Sequence, residues 1–359
     1  MLLLVSAFII LFTHKSIDHN LLIIYLLVLC SLLLTSSIRK DYDYKNYFEV
    51  ISFLTGILIA ITVSEKRFIS GFYRAVIFVC YFSVIYYILG ISFPLLFKYF
   101  PIIYNSKGLP FRFFLFSGLP QGSLGRISLR NYGLFREPAV FVCYITFAFL
   151  LGFSKRIMPF RTASILILTI ITTLSTTGFV VAIPLIGLLF LEKEKGKEFL
   201  FFLVFFLLVL VLLKNKTRLL DFDGPVLYKF LGNSGSATAR FSSVGTNLSI
   251  FLKYPILGGG WKASMQLFER LGDSNHNTNT ILFYFAYYGV IVGTVYLVGL
   301  ISFFSIKGQR LQSLLSIFAL LLALAGSRLV FDINLYIFIG YGIMRFNKNR
   351  FVTSQPQSF

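Results

Sequence analysis

The chain has 359 residues, of which 57% are hydrophobic and only 13% charged, and its mean hydropathy is +0.82. A soluble domain of this length needs more polar surface to cover its core, so a lipid-facing protein is expected. The net charge of +19 would point to nucleic acid in a soluble protein. Here the basic residues sit in short gaps between apolar runs, which excludes nucleic acid and favours anionic headgroups.

In chain order, apolar runs recur at residues 2–12, 21–34, 48–63, 75–93 and 139–153. Others follow at 163–175, 179–191, 199–213, 281–304, 314–325 and 329–344. These make about eleven spans, several shorter than the roughly 20 residues that cross a bilayer straight. The first run lacks a basic leader and a small-residue cleavage site, so it is expected to be a retained helix. Thr176, Thr177 and Gly178 are the tightest connection and predict a hairpin between two spans. Cys30, Cys80 and Cys143 lie singly inside apolar runs and are expected to be packing residues, neither zinc ligands nor disulfides. The expected class is all-α: one integral membrane domain over 1–359.

Charge sets the expected topology. Arg345, Lys348 and Arg350 make the C-terminal tail cytoplasmic by the positive-inside rule. Alternation then places Lys307/Arg310, Lys193/Lys195/Lys197, Lys155/Arg156/Arg161 and Lys66/Arg67/Arg74 on the same side, and each connection is basic. Arg39, Lys40 and Lys45 run against the rule, since they fall outside. Two long connections, 94–138 and 214–279, also face outward. They carry Arg112, Arg126, Arg130, Arg136, Arg218, Arg240 and Lys253, a density that suits an anionic ligand.

Three segments of these loops carry chemistry. The first runs from Arg130 to Pro138. Pro138 suits a helix start and Glu137 complements the helix dipole, which accounts for both without any function; a structural Arg–Glu pair is the plain reading of Arg130 and Arg136. The second places small residues around Arg240, where a bulky anion can reach backbone donors and a guanidinium together. The glycines of Pro255–Gly260 read more simply as a solvated turn. The third puts His276 where the chain re-enters the membrane, ahead of Gly289 and Gly293. A lone histidine is usually structural, but this one opens a span on the same predicted face as the arginines. There is no P-loop, GxSxG elbow or HExxH, so nucleotide-driven and metal-hydrolytic chemistry are not indicated.

Taken in order, Arg-x-x-Gly-x-x-x-Glu-Pro (Arg130, Gly133, Glu137, Pro138), the isolated Arg240, Pro-x-x-Gly-x-Gly (Pro255 to Gly260) and His276-Asn277 ahead of Gly289 resemble the bacterial O-antigen polymerase and ligase superfamily. His276 stands further ahead of Gly289 than in the ligase pattern, and the first motif with the compact chain favours polymerase. The resemblance implies a GT-C-like glycosyltransferase in the bacterial inner membrane, with its active site on the periplasmic face. Its donor would be an undecaprenyl-diphosphate-linked oligosaccharide, passed to another lipid-linked repeat unit of O-antigen or capsule without metal or cofactor. Membrane lipids, a chain-length regulator and a flippase are the implied companions. Arg240 would hold the diphosphate, assisted by Arg130 or Arg136 and with Arg112, Arg126 and Lys253 lining the site; His276 is the candidate base and Glu137 its alternate. Direct displacement would invert the anomeric carbon. A ligase acting on lipid A-core, and a transporter of lipid-linked oligosaccharide, are the competing readings.

Overall fold

The computed structural model describes residues 19–93, 99–104, 110–114, 117–120, 130–135, 137–191, 235–270, 277, 279–306, 309–330 and 332–353. In chain order its elements are α1 (His19–Ile38), α2 (Tyr44–Thr62), α3 (Glu65–Ser92), β1 (Ile102–Tyr104), β2 (Pro110–Phe114) and β3 (Ser117–Pro120). Then come α4 (Pro138–Ser154), α5 (Phe160–Thr172), α6 (Thr176–Leu191), α7 (Gly235–Lys253), α8 (Gly260–Arg270), α9 (Thr280–Phe304), α10 (Arg310–Ala325) and α11 (Ile333–Thr353).

The structure is mostly helical, as the apolar runs predict. Tyr44–Thr62, Glu65–Gly90 and Thr280–Phe304 are long and apolar enough to cross a membrane, and six shorter apolar helices accompany them among the described residues. Large apolar side chains such as Phe78, Ile85, Ile88 and Ile183 stand exposed on these helices, an arrangement suited to lipid and costly in water. The expected runs at 2–12 and 199–213 lie outside the described residues.

Three expectations need correction. The chain is not purely helical, because residues 102–104, 110–114 and 117–120 form a three-stranded antiparallel sheet in the order β1-β2-β3, with Ile103 opposite Phe111 and Phe113 opposite Gly118. The stretch 235–270, expected as loop, is largely the helices α7 and α8. The hairpin between α5 and α6 turns at Thr173–Ser175, with Leu174 left-handed (φ 46°), three residues before the expected place. Thr176–Gly178 instead begins α6, and Gly178 packs against Thr173 and Ile170. Of the cysteines, Cys80 and Cys143 are buried as expected, while Cys30 is exposed.

The chain divides into two compact units. Unit one comprises Met1–Phe68, Thr238–Ser305 and Leu324–Phe359. At its centre α9 packs on α11, α11 on α2, and α1 on α9. Small residues permit these close crossings. Gly342 of α11 faces the backbone of Gly299 on α9, Gly340 faces Ala60 on α2, and Gly56 faces Tyr336. The interior of this bundle is polar in one place: Glu49 of α2 is fully buried and accepts a hydrogen bond from Tyr336 Oη, which lies 3.2 Å from Tyr284 Oη. Arg345 pairs with Glu65 at one end of α2, while Asp41 accepts from Lys262 N (2.8 Å) at the other. Nineteen residues of helix separate these ends by roughly 28 Å, close to the thickness of a hydrocarbon core.

Unit two comprises Ile69–Ala237 and Ile306–Ala323. Here α4, α5 and α6 pack mutually, and α4 is covered nearly all round: fourteen of its residues, from Pro138 to Phe153, are buried. Such a helix takes a central place in its unit.

Candidate functional site

In unit two the segment before α4 is held tightly. Asn131 is fully buried; its Nδ2 donates to Ser83 Oγ (3.2 Å) and Thr172 Oγ1 (3.0 Å), and its Oδ1 accepts from Gly133 N (3.0 Å). Gly133 takes a left-handed turn (φ 54°) over the ring of Phe141, where a Cβ would lie 2.7 Å from the ring. Its carbonyl accepts from Gly118 N on β3 (3.0 Å), and Tyr132 packs edge-on against Phe111 of β2. The sheet and the Arg130–Pro138 segment are therefore one built piece.

Within it, Arg130 donates to the carbonyls of Thr173 and Leu174, both at 3.4 Å. These groups end α5, where a cation satisfies spare acceptors and the negative end of the dipole. Arg130 is thus a helix cap. Glu137 occupies the N-cap of α4 with Pro138 at its first helical position, as expected, but only the Glu137 carbonyl takes the first-turn bonds, from Val140 N and Phe141 N. Tyr132, beside both, has its phenol pKa raised by burial; the Arg130 charge works against that rise and Glu137 adds to it. Arg112 donates to Phe100 O (2.7 Å) and so ties β2 to the chain leading into β1. Arg126 and Arg136 lie outside the described residues.

In unit one, Arg240 is described by its backbone, in the second turn of α7. His276 lies outside the described residues, but its neighbour Asn277 is buried and fixed. Asn277 Oδ1 accepts from Ser243 Oγ (3.1 Å) and Asn247 Nδ2 (2.9 Å), while its Nδ2 donates to Asn247 Oδ1 (2.9 Å). Positions 240, 243 and 247 follow a spacing of three and four, so the Cα of Arg240 belongs to the helix row that grips Asn277. Lys253 ends α7, exposed, with its ammonium 5.3 Å from the Tyr254 ring centroid.

The glycine stretch is no solvated turn. Gly289 breaks α9 (φ 82°, ψ −174°), which prevents the helical bond between Ala286 O and Val290 N. Both groups find partners in the stretch before α8: Gly259 N donates to Ala286 O, and Val290 N donates to Pro255 O, each at 2.8 Å. Gly258 (φ 71°) lets this plug reach the backbone of Tyr287 and Tyr288, which any Cβ there would overlap. Thr35 and Arg39 secure it from α1's end, donating to Leu257 O (2.7 Å) and Gly258 O (3.1 Å).

No family model, curated protein or solved structure matches the chain. Among the described residues no group of three His, Cys, Asp or Glu side chains has the geometry to hold a metal ion. Sequence reasoning missed Asn247, Ser243 and Asn277 as a set, Asn131 as the organiser of the first segment, and Glu49. A buried carboxylate inside an apolar run was the available signal for Glu49.

Proposed function

We propose that the chain is a polytopic inner-membrane glycosyltransferase with a GT-C-like bundle of about eleven spans. It would move a glycan from undecaprenyl diphosphate onto another lipid-linked repeat unit at the periplasmic face. The observation that supports this most is the Asn277 clamp. It ties the residue after His276 to the α7 row that carries Arg240, two motifs far apart in sequence. The plugged break at Gly289 likewise brings Pro255–Gly260 together with α9.

In this reading the donor already carries a good leaving group, so the protein supplies charge and a base. Arg240, whose backbone lies in the second turn of α7, would supply the guanidinium for the departing diphosphate. His276 takes the proton of the acceptor hydroxyl as that oxygen attacks the anomeric carbon and the diphosphate leaves with the bonding pair. Arg130 holds its own segment to α5.

The test is glycan laddering from His276→Gln at wild-type abundance in a null strain. Loss of the ladder by roughly 10²-fold is expected, because an amide replaces a structural hydrogen bond but takes no proton at neutral pH. A normal ladder would remove His276 from the chemistry.

A transporter of lipid-linked oligosaccharide is the second reading, and Glu49 favours it. A buried carboxylate inside an apolar helix commonly marks an ion-coupled pathway. The null strain separates the two: polymerase loss leaves one repeat unit attached to its final acceptor, whereas transporter loss traps units on the inner face.

A further inference from the structure

One carboxylate of unit one has no part in the transfer reaction. Glu49 follows Tyr44 on α2, roughly 8 Å along the helix from that first residue, and is fully buried. Tyr336 of α11 meets its Oε1 directly, with no space for a metal ion between them. From α9, Tyr284, Tyr288 and Tyr296 lie within reach of its charge, and α1 adds Tyr25, edge-on to Phe53 of α2. The acidic groups beyond are Asp332, which acts on Tyr284, and Asp41, which acts on Tyr288. Two cations of the same unit, Lys45 and Arg328, stand over the Trp261 ring, and Lys45 also lies beside Asp43.

The hydroxyl protons of this group are one too few. Three contacts run in line from Glu49 Oε1 to Tyr336 Oη, from there to Tyr284 Oη (3.2 Å), and on to Leu329 O (3.4 Å). Each contact needs one proton; a carbonyl brings none and the two phenols bring two. Either phenol can donate in the contact between them, so the line is free to reverse. With Glu49 ionised, Tyr336 donates to the carboxylate and Tyr284 to Tyr336, and the Leu329 carbonyl loses its donor. With a proton on Oε1, Glu49 donates to Tyr336, Tyr336 to Tyr284 and Tyr284 to Leu329 O. Only the protonated form fills all three contacts, and it also spares the interior a charge. Asn46, between Glu49 and the start of α2, carries polar contacts outward, accepting from Tyr288 Oη (3.4 Å) and donating to Asp41 O (2.8 Å). We propose that Glu49 is a proton-binding site, loaded at neutral pH, whose proton exchanges with water at the Tyr44 end of α2. Release breaks the Glu49 O–H bond, gives the proton to water and turns both phenols back toward the carboxylate. The site goes beyond the transfer reaction and does not depend on it.

The test is infrared spectroscopy of the full chain in phosphatidylcholine vesicles at neutral pH, read at the carbonyl stretch of a protonated carboxylic acid, which ionised carboxylates lack. Wild type should show this band, and Glu49→Gln should lose it. Transfer to heavy water should lower its frequency, because a deuteron replaces the carboxyl proton. Tyr336→Phe removes the acceptor of that proton and should shift the band, which keeps the test valid if Glu49→Gln misfolds. Absence of the band in wild type, or its survival in Glu49→Gln, would overturn the proposal. So would a band indifferent to heavy water, the mark of a sealed structural acid, or one unmoved in Tyr336→Phe.

Discussion

Replacing Gly289 with alanine tests the plugged break in α9. Its φ of 82° with ψ of −174° is a region that only glycine occupies at ease, and holding alanine there costs about 1–3 kcal/mol. The added Cβ would also overlap the Ile256 carbonyl and lie 2.7 Å from Leu257 N, both backbone atoms of the plug with no rotamer to yield. Relief requires the plug to withdraw, which strands its two bonds to α9 in a buried place at about 1–3 kcal/mol for each unsatisfied group. Re-forming the direct Ala286–Val290 bond relieves the strain and recovers part of this, so the net loss should be roughly 1.5–4.5 kcal/mol. The assay is reversible unfolding of purified protein in mixed micelles, titrated with sodium dodecyl sulfate and followed by Trp261 emission. Gly71→Ala serves as control, because a Cβ at Gly71 meets nothing within 4 Å in α3; it should be neutral or stabilise by about 0.5–1 kcal/mol. A Gly289→Ala variant within about 1 kcal/mol of wild type, the scale of an ordinary glycine substitution, would refute the plugged geometry.

Three further outcomes are expected. Arg240→Ala should abolish laddering at normal abundance and Arg240→Lys should restore only part of it, since an ammonium supplies charge without the two-pronged fork; full activity in Arg240→Ala would dismiss the diphosphate role. Asn131→Ala should lower the unfolding free energy by roughly 1–3 kcal/mol, because it leaves Gly133 N without its buried acceptor, and a stability equal to wild type would count against that network. In a cysteine-free background, Glu269→Cys should react with an impermeant maleimide added outside intact cells and Lys66→Cys should not; both are exposed, Lys66 follows α2, and the helix that carries Glu269 starts against Asp41 ahead of α2, so the reverse pattern would invert the topology.

The helices were legible where hydropathy alone decides. Residues 139–153 and 281–304 match α4 and α9 within a residue or so, because an apolar run bounded by Pro138 or Asn279 has one comfortable conformation in lipid. Polar-faced helices were not. Ser243 and Asn247 sit inward to hold Asn277, so α7 carries its polar groups on a buried side and resembles a loop in composition. The sheet of residues 102–104, 110–114 and 117–120 shows no alternating pattern, and its register depends on partners such as Gly133 that are distant in sequence. Arg39 and Lys45 looked like exceptions to a topology rule because their aromatic partners, Tyr254 and Trp261, lie more than two hundred residues away. The glycines from 258 to 260 have the composition of a turn; what they do follows from Gly289, whose broken helix needs their backbone.

That dependence also orders the chain's biogenesis. On its own, α9 can enter the bilayer only as an unbroken rod, since a break would leave Ala286 O and Val290 N bare in hydrocarbon. The plug is synthesised before its socket: residues 255–259 leave the ribosome ahead of 286–290. The backbone groups that satisfy Ala286 O and Val290 N are thus already made when α9 is synthesised. Protection of the Val290 amide from hydrogen exchange should therefore depend on residues 255–259, and be lost where they are displaced.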